Sequence, residues 1–250
     1  MTPYRLLDLF SGIGGFSLGL ERSGAFKTVA FCEIDPFCRK VLHKHWPEVP
    51  QYDDIRTLTA DRLAADGIAV DAICGGFPCQ DISSAGKMVG IEGERSGLWS
   101  EIVRLCGELR PQILVVENVS NLLTGDGGAW FGAVLSDLAA LGFDAEWHCI
   151  PASYIGALHQ RDRVWIVAYP HSDRLRLQGF RRPAGTAWPQ EQFARLVQVA
   201  LQSSVPTRNG RGVAERISDR PHRLKALGNA VVPQIPELIG RAIAEADRAA

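Results

Sequence analysis

Residues Ile113-Leu114-Val115-Val116 are apolar at every position, and the run stops abruptly at Glu117. Successive side chains of a strand point to opposite faces, so such a run is stable only where both faces are covered. A sheet wetted on one side would instead alternate apolar with polar. The rest of the first 170 residues repeats the demand. Strand-like runs at Tyr4 to Phe10, Thr28 to Glu33, Val70 to Cys74 and Arg163 to Ala168 are separated by helical segments. Those segments begin near Phe16 or run from Pro36 to His45, Glu101 to Leu109 and Ala133 to Leu141. The alternation predicts a doubly wound α/β domain with a parallel or mostly parallel sheet. In such sheets ligands sit beyond the carboxyl ends of the strands.

The pattern fails from His171 to about Pro221, where Gly and Pro punctuate the chain and Gln190 to Gln202 is the one convincing helix. Leu224 to Val232 and Ile235 to Ala246 regain apolar character and are expected to dock back. The predicted organisation is a main domain over 1–170, a short basic region over 171–221 and a returning segment over 222–250. Charge divides along the same lines. Residues 1–158 hold 12 Lys and Arg against 20 Asp and Glu, whereas residues 159–225 hold 13 against 5. A basic block on an acidic body suits a polyanion, although a solvated arginine-rich surface has the same composition.

Composition narrows the class. Hydrophobic residues at 46% and charged residues at 22% exclude a disordered or fibrous chain. No run approaches the roughly 20 apolar residues of a membrane span, and Met1 to Arg5 lacks a signal-peptide layout. Six cysteines without a CxxC pair suggest reduced thiols and no metal site, so a cytoplasmic setting is expected. A monomer is expected as well.

Three loops carry candidate chemistry. Asp8-Leu9-Phe10-Ser11-Gly12-Ile13-Gly14-Gly15-Phe16 joins a strand to a helix, and its glycines permit a tight turn and close ligand approach. The dinucleotide spacing GxGxxG is absent, so a ligand without phosphate suits it better. Glu33-Ile34-Asp35 ends the next strand, where an acid can hold ribose hydroxyls. Gly75-Gly76-Phe77-Pro78-Cys79-Gln80 leaves Cys79 among turn and polar residues. Cys32, Cys38, Cys74, Cys106 and Cys149 read instead as small buried hydrophobes. Asp81 to Leu98, rich in Gly, Ser and charge, has the composition of a closing loop. Glu117 either caps the following turn or stands beside a reacting group with a raised pKa. Arg161 and Arg163, two apart on an extended segment, can hold a carbonyl or phosphate, or one can simply pair with Asp162.

In combination these segments resemble the C5-cytosine DNA methyltransferase family. DLFSGIGGF is similar to its cofactor loop, GGFPCQDIS to its nucleophile loop, ENV to its glutamate motif and RDRVWIV to its arginine strand. Gly228-Asn229-Ala230-Val231-Val232-Pro233 is similar to its C-terminal motif. The resemblance covers about four-fifths of the chain. It implies a Rossmann-like fold, S-adenosylmethionine (SAM) as cofactor and double-stranded DNA as partner, in a restriction–modification or phage setting.

It also implies roles. Cys79 would be the nucleophile at cytosine C6, Glu117 would hydrogen-bond N3 and the exocyclic amine, Arg163 would hold O2, and Arg161 would assist. Base flipping is implied as well. Phe10 would stack on adenine, with Ile13, Gly14 and Gly15 near the methionine end. Glu33 would bind the ribose, Ile34 the second adenine face, and Asp54 and Ile55 the adenine edge. Pro78, Leu98, Asn229 and Val231 would complete the pocket.

Two departures stand out. Leu158-His159 replaces a common Pro-Gln, and only about 60 residues separate the arginine strand from Gly228, where the family usually places a larger recognition domain. Arg176-Leu177-Gln178-Gly179-Phe180 echoes a family motif but lies far from Gly228. The recognition region is thus reduced, with Arg174, Arg176, Arg181, Arg182, Arg208, Arg211 and Arg216 expected to give salt-sensitive DNA contact of weak sequence preference. An RNA cytosine methyltransferase and a non-catalytic or partner-dependent nucleic-acid-binding protein share these residues and stay open.

Overall fold

A computed structural model describes residues 2–77, 97–155, 161–171, 226–227 and 229–249. Pro78, Cys79, the predicted closing loop up to residue 96, His159, Gly228 and the basic region from 172 to 225 lie outside the described residues.

The first strand, β1 (Tyr4–Leu9), leads through the glycine loop into helix α1 (Gly15–Arg22) and β2 (Phe26–Cys32). Then come α2 (Pro36–His45), the two-residue β3 (Gln51–Tyr52), α3 (Ala60–Ala65) and β4 (Ala72–Gly76). After residues 78–96, α4 (Gly97–Leu109) precedes β5 (Ile113–Val119), α5 (Ala129–Ala140), β6 (Phe143–Pro151) and β7 (Asp162–Pro170). A final helix, α6, spans Gln234–Ala249. The strands form one sheet in the order β3-β2-β1-β4-β5-β7-β6. All pairings from β3 to β5 are parallel, and β7 runs antiparallel to both β5 and β6.

The strand order reverses between β1 and β4. β2 and β3 extend the sheet to one side of β1 and β4 to the other, which makes the carboxyl ends of β1 and β4 a topological switch point. This opens a crevice at their carboxyl ends, the place where ligands bind in open α/β sheets.

Side-chain alternation along β1 shows why its sequence is nearly all apolar. Leu7 and Leu9 enter the core shared with α3, α4 and α5, including Leu63, Ile102 and Val134. Leu6 enters the core on the other face with Phe16 and Leu20 of α1 and Ile235, Ile239 and Ile243 of α6. The three isoleucines fall at i, i+4 and i+8, a single stripe on α6. Helices α1 and α6 meet at glycines. A Cβ on Gly240 would stand 2.5 Å from Ser23 Oγ, and one on Gly19 would overlap the Pro233 carbonyl. Tyr4 Oη donates to Asp247 Oδ2 at 2.7 Å and fastens the end of α6 to β1. The returning segment is therefore part of the main domain.

Two expectations are corrected. No strand was predicted between α5 and β7, yet β6 is there, at the sheet edge. Its outer residues alternate in exposure and Trp147 is 43% exposed, so it lacks the continuous apolar signature of an inner strand. Cys149, expected as a small buried hydrophobe, lies exposed on this edge strand. The other four described cysteines, Cys32, Cys38, Cys74 and Cys106, are buried.

Candidate active site

The glycine loop leaves β1 sharply. Phe10 takes φ 52°, a conformation side chains rarely adopt, and Gly12 and Gly14 follow at 54° and 85°. Phe10 is half-buried at the crevice. Glycine is required at two of the loop's positions by proximity. A Cβ on Gly14 would meet the Trp46 ring at 2.6 Å, and one on Gly15 would meet the Val231 carbonyl oxygen at 2.5 Å. The second contact puts the C-terminal motif directly against the cofactor loop, joining two segments more than 200 residues apart. Ile13 is half-buried in the same turn.

Beneath the loop, Asp8 braces the turn. Its Oδ2 accepts from Ser17 Oγ at 2.7 Å and from Ser17 N at 3.3 Å. Ser17 N is one of the free amides of the first turn of α1, and Gly14, the N-cap, has no side chain to meet it. Asp8 thus caps α1 from the neighbouring strand. It is fully buried, and burial pushes its pKa up to about 7 against the pull of the Ser17 and Cys74 donors.

Across the loop, Glu33 is held by two backbone amides, Gly12 N and Asp35 N, each at 2.7 Å. Both carboxylate oxygens are oriented and retain lone pairs for further donors, the arrangement a ribose diol needs. Ile34 next to it is 67% exposed, a bare apolar surface suited to a ring face. Asp54 caps the short turn Ile55–Thr57 and forms a close pair with Arg56, Nη2 to Oδ2 at 2.7 Å. Ile55 is only 4% exposed and belongs to the core, and its carbonyl accepts from Arg104 Nη2 at 2.9 Å and from Leu58 N at 3.2 Å. Leu98 is half-buried in the first turn of α4, Asn229 is exposed and Val231 is half-buried. Phe10, Glu33, Ile34 and Val231 therefore gather at one crevice, and the donor, acceptor and apolar surfaces present fit SAM.

The second cluster stands at the carboxyl ends of β4 and β5. Gly76 pairs with Glu117 in register, and a Cβ there would lie 3.0 Å from Glu117 Oε2. Glu117 Oε1 accepts from Arg163 Nε at 2.8 Å, with the carboxylate side chain 12% exposed. Burial raises the Glu117 pKa, and Arg163 and Arg161 oppose the rise. Burial, then the Arg163 charge, lowers that of Arg161. The simple Asp162 pairing is not what forms. Arg163 turns its Nε to Glu117, and Asp162 supplies only its backbone carbonyl, to Nη1 at 2.8 Å. Arg161 itself has φ 35° at the entrance to β7.

Asn118 was missed as an organising residue. It is 2% exposed, and its Nδ2 donates to the Phe77 carbonyl at 3.1 Å. Phe77 also packs on Trp99 at 5.0 Å between ring centres. Both contacts direct the chain just before Pro78-Cys79. A buried polar residue beside Glu117 was the available signal, because such a group requires a partner.

A Rossmann-like sheet with an acid-bearing glycine loop and a carboxylate–guanidinium pair at its switch point defines a nucleotide-cofactor enzyme fold. The family model for C-5 cytosine-specific DNA methylase matches residues 4–208. The chain belongs to that family. It is 34% identical over 182 residues to the type II methyltransferase M1.ScrFI of Lactococcus lactis subsp. cremoris, covering 73% of this chain and 46% of that protein. The type II methyltransferase M.HhaI of Haemophilus parahaemolyticus is 31% identical, with coverages of 73% and 54%. Among solved structures, an E. coli prophage-encoded protein described as a DNA modification methyltransferase has a TM-score of 0.58 at 26% identity, covering 67% of this chain and 47% of its own. The S. pombe Dnmt2 methyltransferase shares the fold at TM-score 0.54 and 20% identity, with coverages of 68% and 50%. The chain spans about half the length of the curated relatives it matches.

Proposed function

We propose that this chain transfers a methyl group from SAM to C5 of cytosine in DNA. The observation that carries the reading is the Glu117–Arg163 pair, seated over Gly76 three residues before Cys79. SAM, when bound, supplies an electrophilic methyl group on a sulfonium. Phe10, Glu33, Ile34 and the backbone around Gly14 and Gly15 would hold it, with Asp54, Ile55, Leu98, Asn229, Val231 and Pro78 around the adenine and the methionine end.

Cys79, as thiolate, would add to C6 of a flipped cytosine, making C5 electron-rich. Glu117, biased toward its protonated form by burial, would donate to N3 and take up the negative charge that the addition places there. Arg163 would turn from Glu117 toward O2, and Arg161 would assist in holding the base. Loss of the C5 proton and departure of Cys79 would restore the ring. Residues 171–221 would supply phosphate contacts, with weak base readout.

The deciding assay is methyl transfer from labelled SAM to mixed-sequence duplex DNA. Incorporation that vanishes in Cys79→Ala establishes enzyme and nucleophile together. No incorporation while SAM still binds would refute autonomous activity. Incorporation into tRNA in place of duplex DNA would move the substrate class to RNA.

A further inference from the structure

Trp165 lies directly opposite Glu117 in the antiparallel β5–β7 pairing, so the two side chains share a face. Cross-strand partners of this kind have Cβ atoms about 4.5–5.5 Å apart. Trp165 is 2% exposed and its ring packs edge-on against Phe16 at 5.4 Å. Its Nε1 is buried, and among the described residues no acceptor lies within hydrogen-bonding reach. A buried N–H without an acceptor is costly, and native folds seldom leave one.

Trp165, Glu117, Arg161 and Arg163 together line a small space, with Val231 and Ile235 also in its lining. It offers about 10 Å³ to the centre of a water molecule, close to the volume one water requires. Its lining residues bring an indole, a carboxyl group and two guanidinium groups around one small space, the kinds of partner a buried water needs.

We propose that Trp165 is a positioning residue for Glu117: one water in this cavity accepts the indole N–H and donates to the Glu117 carboxyl. The inference rests on the reading of Glu117 as the group that meets the base. A donor directed at a carboxylate favours the ionised form, so Trp165 counteracts part of the upward push of burial on Glu117. It also fixes the carboxyl plane while Arg163 swings to the substrate. Loss of the indole N–H should therefore move the alkaline limb of methyl transfer to higher pH. It should also lower kcat roughly tenfold, with KM for SAM unchanged.

The groups that titrate or carry charge on this face, among the described residues, include Arg161, Arg163, His148 opposite Trp165 on β6, Glu146 and Asp144 farther along β6 with their partners Tyr169 and His171, Tyr4 and Asp8 on β1 and Cys74 on β4. α1 and α6 turn Phe16, Ile235 and Ile239 toward it, all apolar.

The test follows the Trp indole N–H resonances of the ¹⁵N-labelled protein through a pH titration, with Trp165→Phe identifying the resonance. One resonance is expected to shift with a single midpoint, to show an exchange cross-peak to water and to lose its titration in Glu117→Gln. The titration should persist in His148→Gln and Asp8→Asn. A resonance that is flat with pH, that still titrates in Glu117→Gln or that lacks the water cross-peak overturns the proposal. The readout needs no turnover, so a protein that titrates as expected but transfers no methyl would count against the proposed function alone.

Discussion

Asp8→Asn isolates one buried ionisation. In the folded chain the carboxyl is fully buried and its pKa stands at about 7, against 3.8 for the ordinary group. Between those two values the unfolded chain is ionised while the folded chain keeps the proton. The folded state therefore binds more protons, and stability falls as pH rises through the window. A displacement of about 3 pH units at about 1.4 kcal/mol each amounts to roughly 4 kcal/mol over the whole window. From pH 5 to pH 7 the expected loss is about 2 kcal/mol. Asparagine keeps an oxygen for Ser17 and carries no ionisation, so the variant should lack this slope. Its amide has a pH-independent cost of its own, and for that reason the quantity to compare is the difference between the two proteins as a function of pH. Urea unfolding of both proteins at pH 5, 6, 7 and 8 measures it. Asp8→Asn should gain on the wild type by about 2 kcal/mol from pH 5 to pH 7 and little beyond pH 8. Parallel curves would show that Asp8 is ionised in the folded state and would refute the reasoning.

Three further outcomes follow from the geometry. Gly76→Ala places a methyl 3.0 Å from Glu117 Oε2, so methyl transfer should fall on the order of a hundredfold with the circular dichroism spectrum unchanged. Gly15→Ala drives a methyl into the Val231 carbonyl; calorimetry should show SAM affinity weakened and a destabilisation of roughly 1–3 kcal/mol. DNA binding should lose affinity steeply between 50 and 200 mM salt if several arginines of residues 171–221 contact phosphate, and fluorescence anisotropy with a flat salt dependence would exclude that role.

Local pattern made much of this architecture legible. Pro36–His45 is a helix over its predicted span because Asp35 caps it and Pro36 occupies its first turn. β5 begins at Ile113 as expected but continues to Val119, since pairing with β7 satisfies its backbone past the point where the apolar run ends. At β1 the opposite happens: Phe10 is apolar enough for the strand, yet the glycine turn takes it to positive φ. β6 was invisible because an antiparallel edge strand needs only one buried face and its pattern is diluted by residues such as Trp147 and Cys149.

The residue types themselves determined the layered α/β class, the glycine loop and the acid after β2, because covered strands, tight turns and carboxylates at strand ends all leave local marks. Tertiary structure alone decided which of these meet. Arg163 pairs with Glu117 in place of its neighbour Asp162 because antiparallel register brings β7 back beside the end of β5. Val231 closes on Gly15 because α6 packs on α1 through two glycines. Asp8 is held near neutrality by the depth of the sheet. Each depends on partners distant in the chain, and no local pattern encodes a distance across the fold.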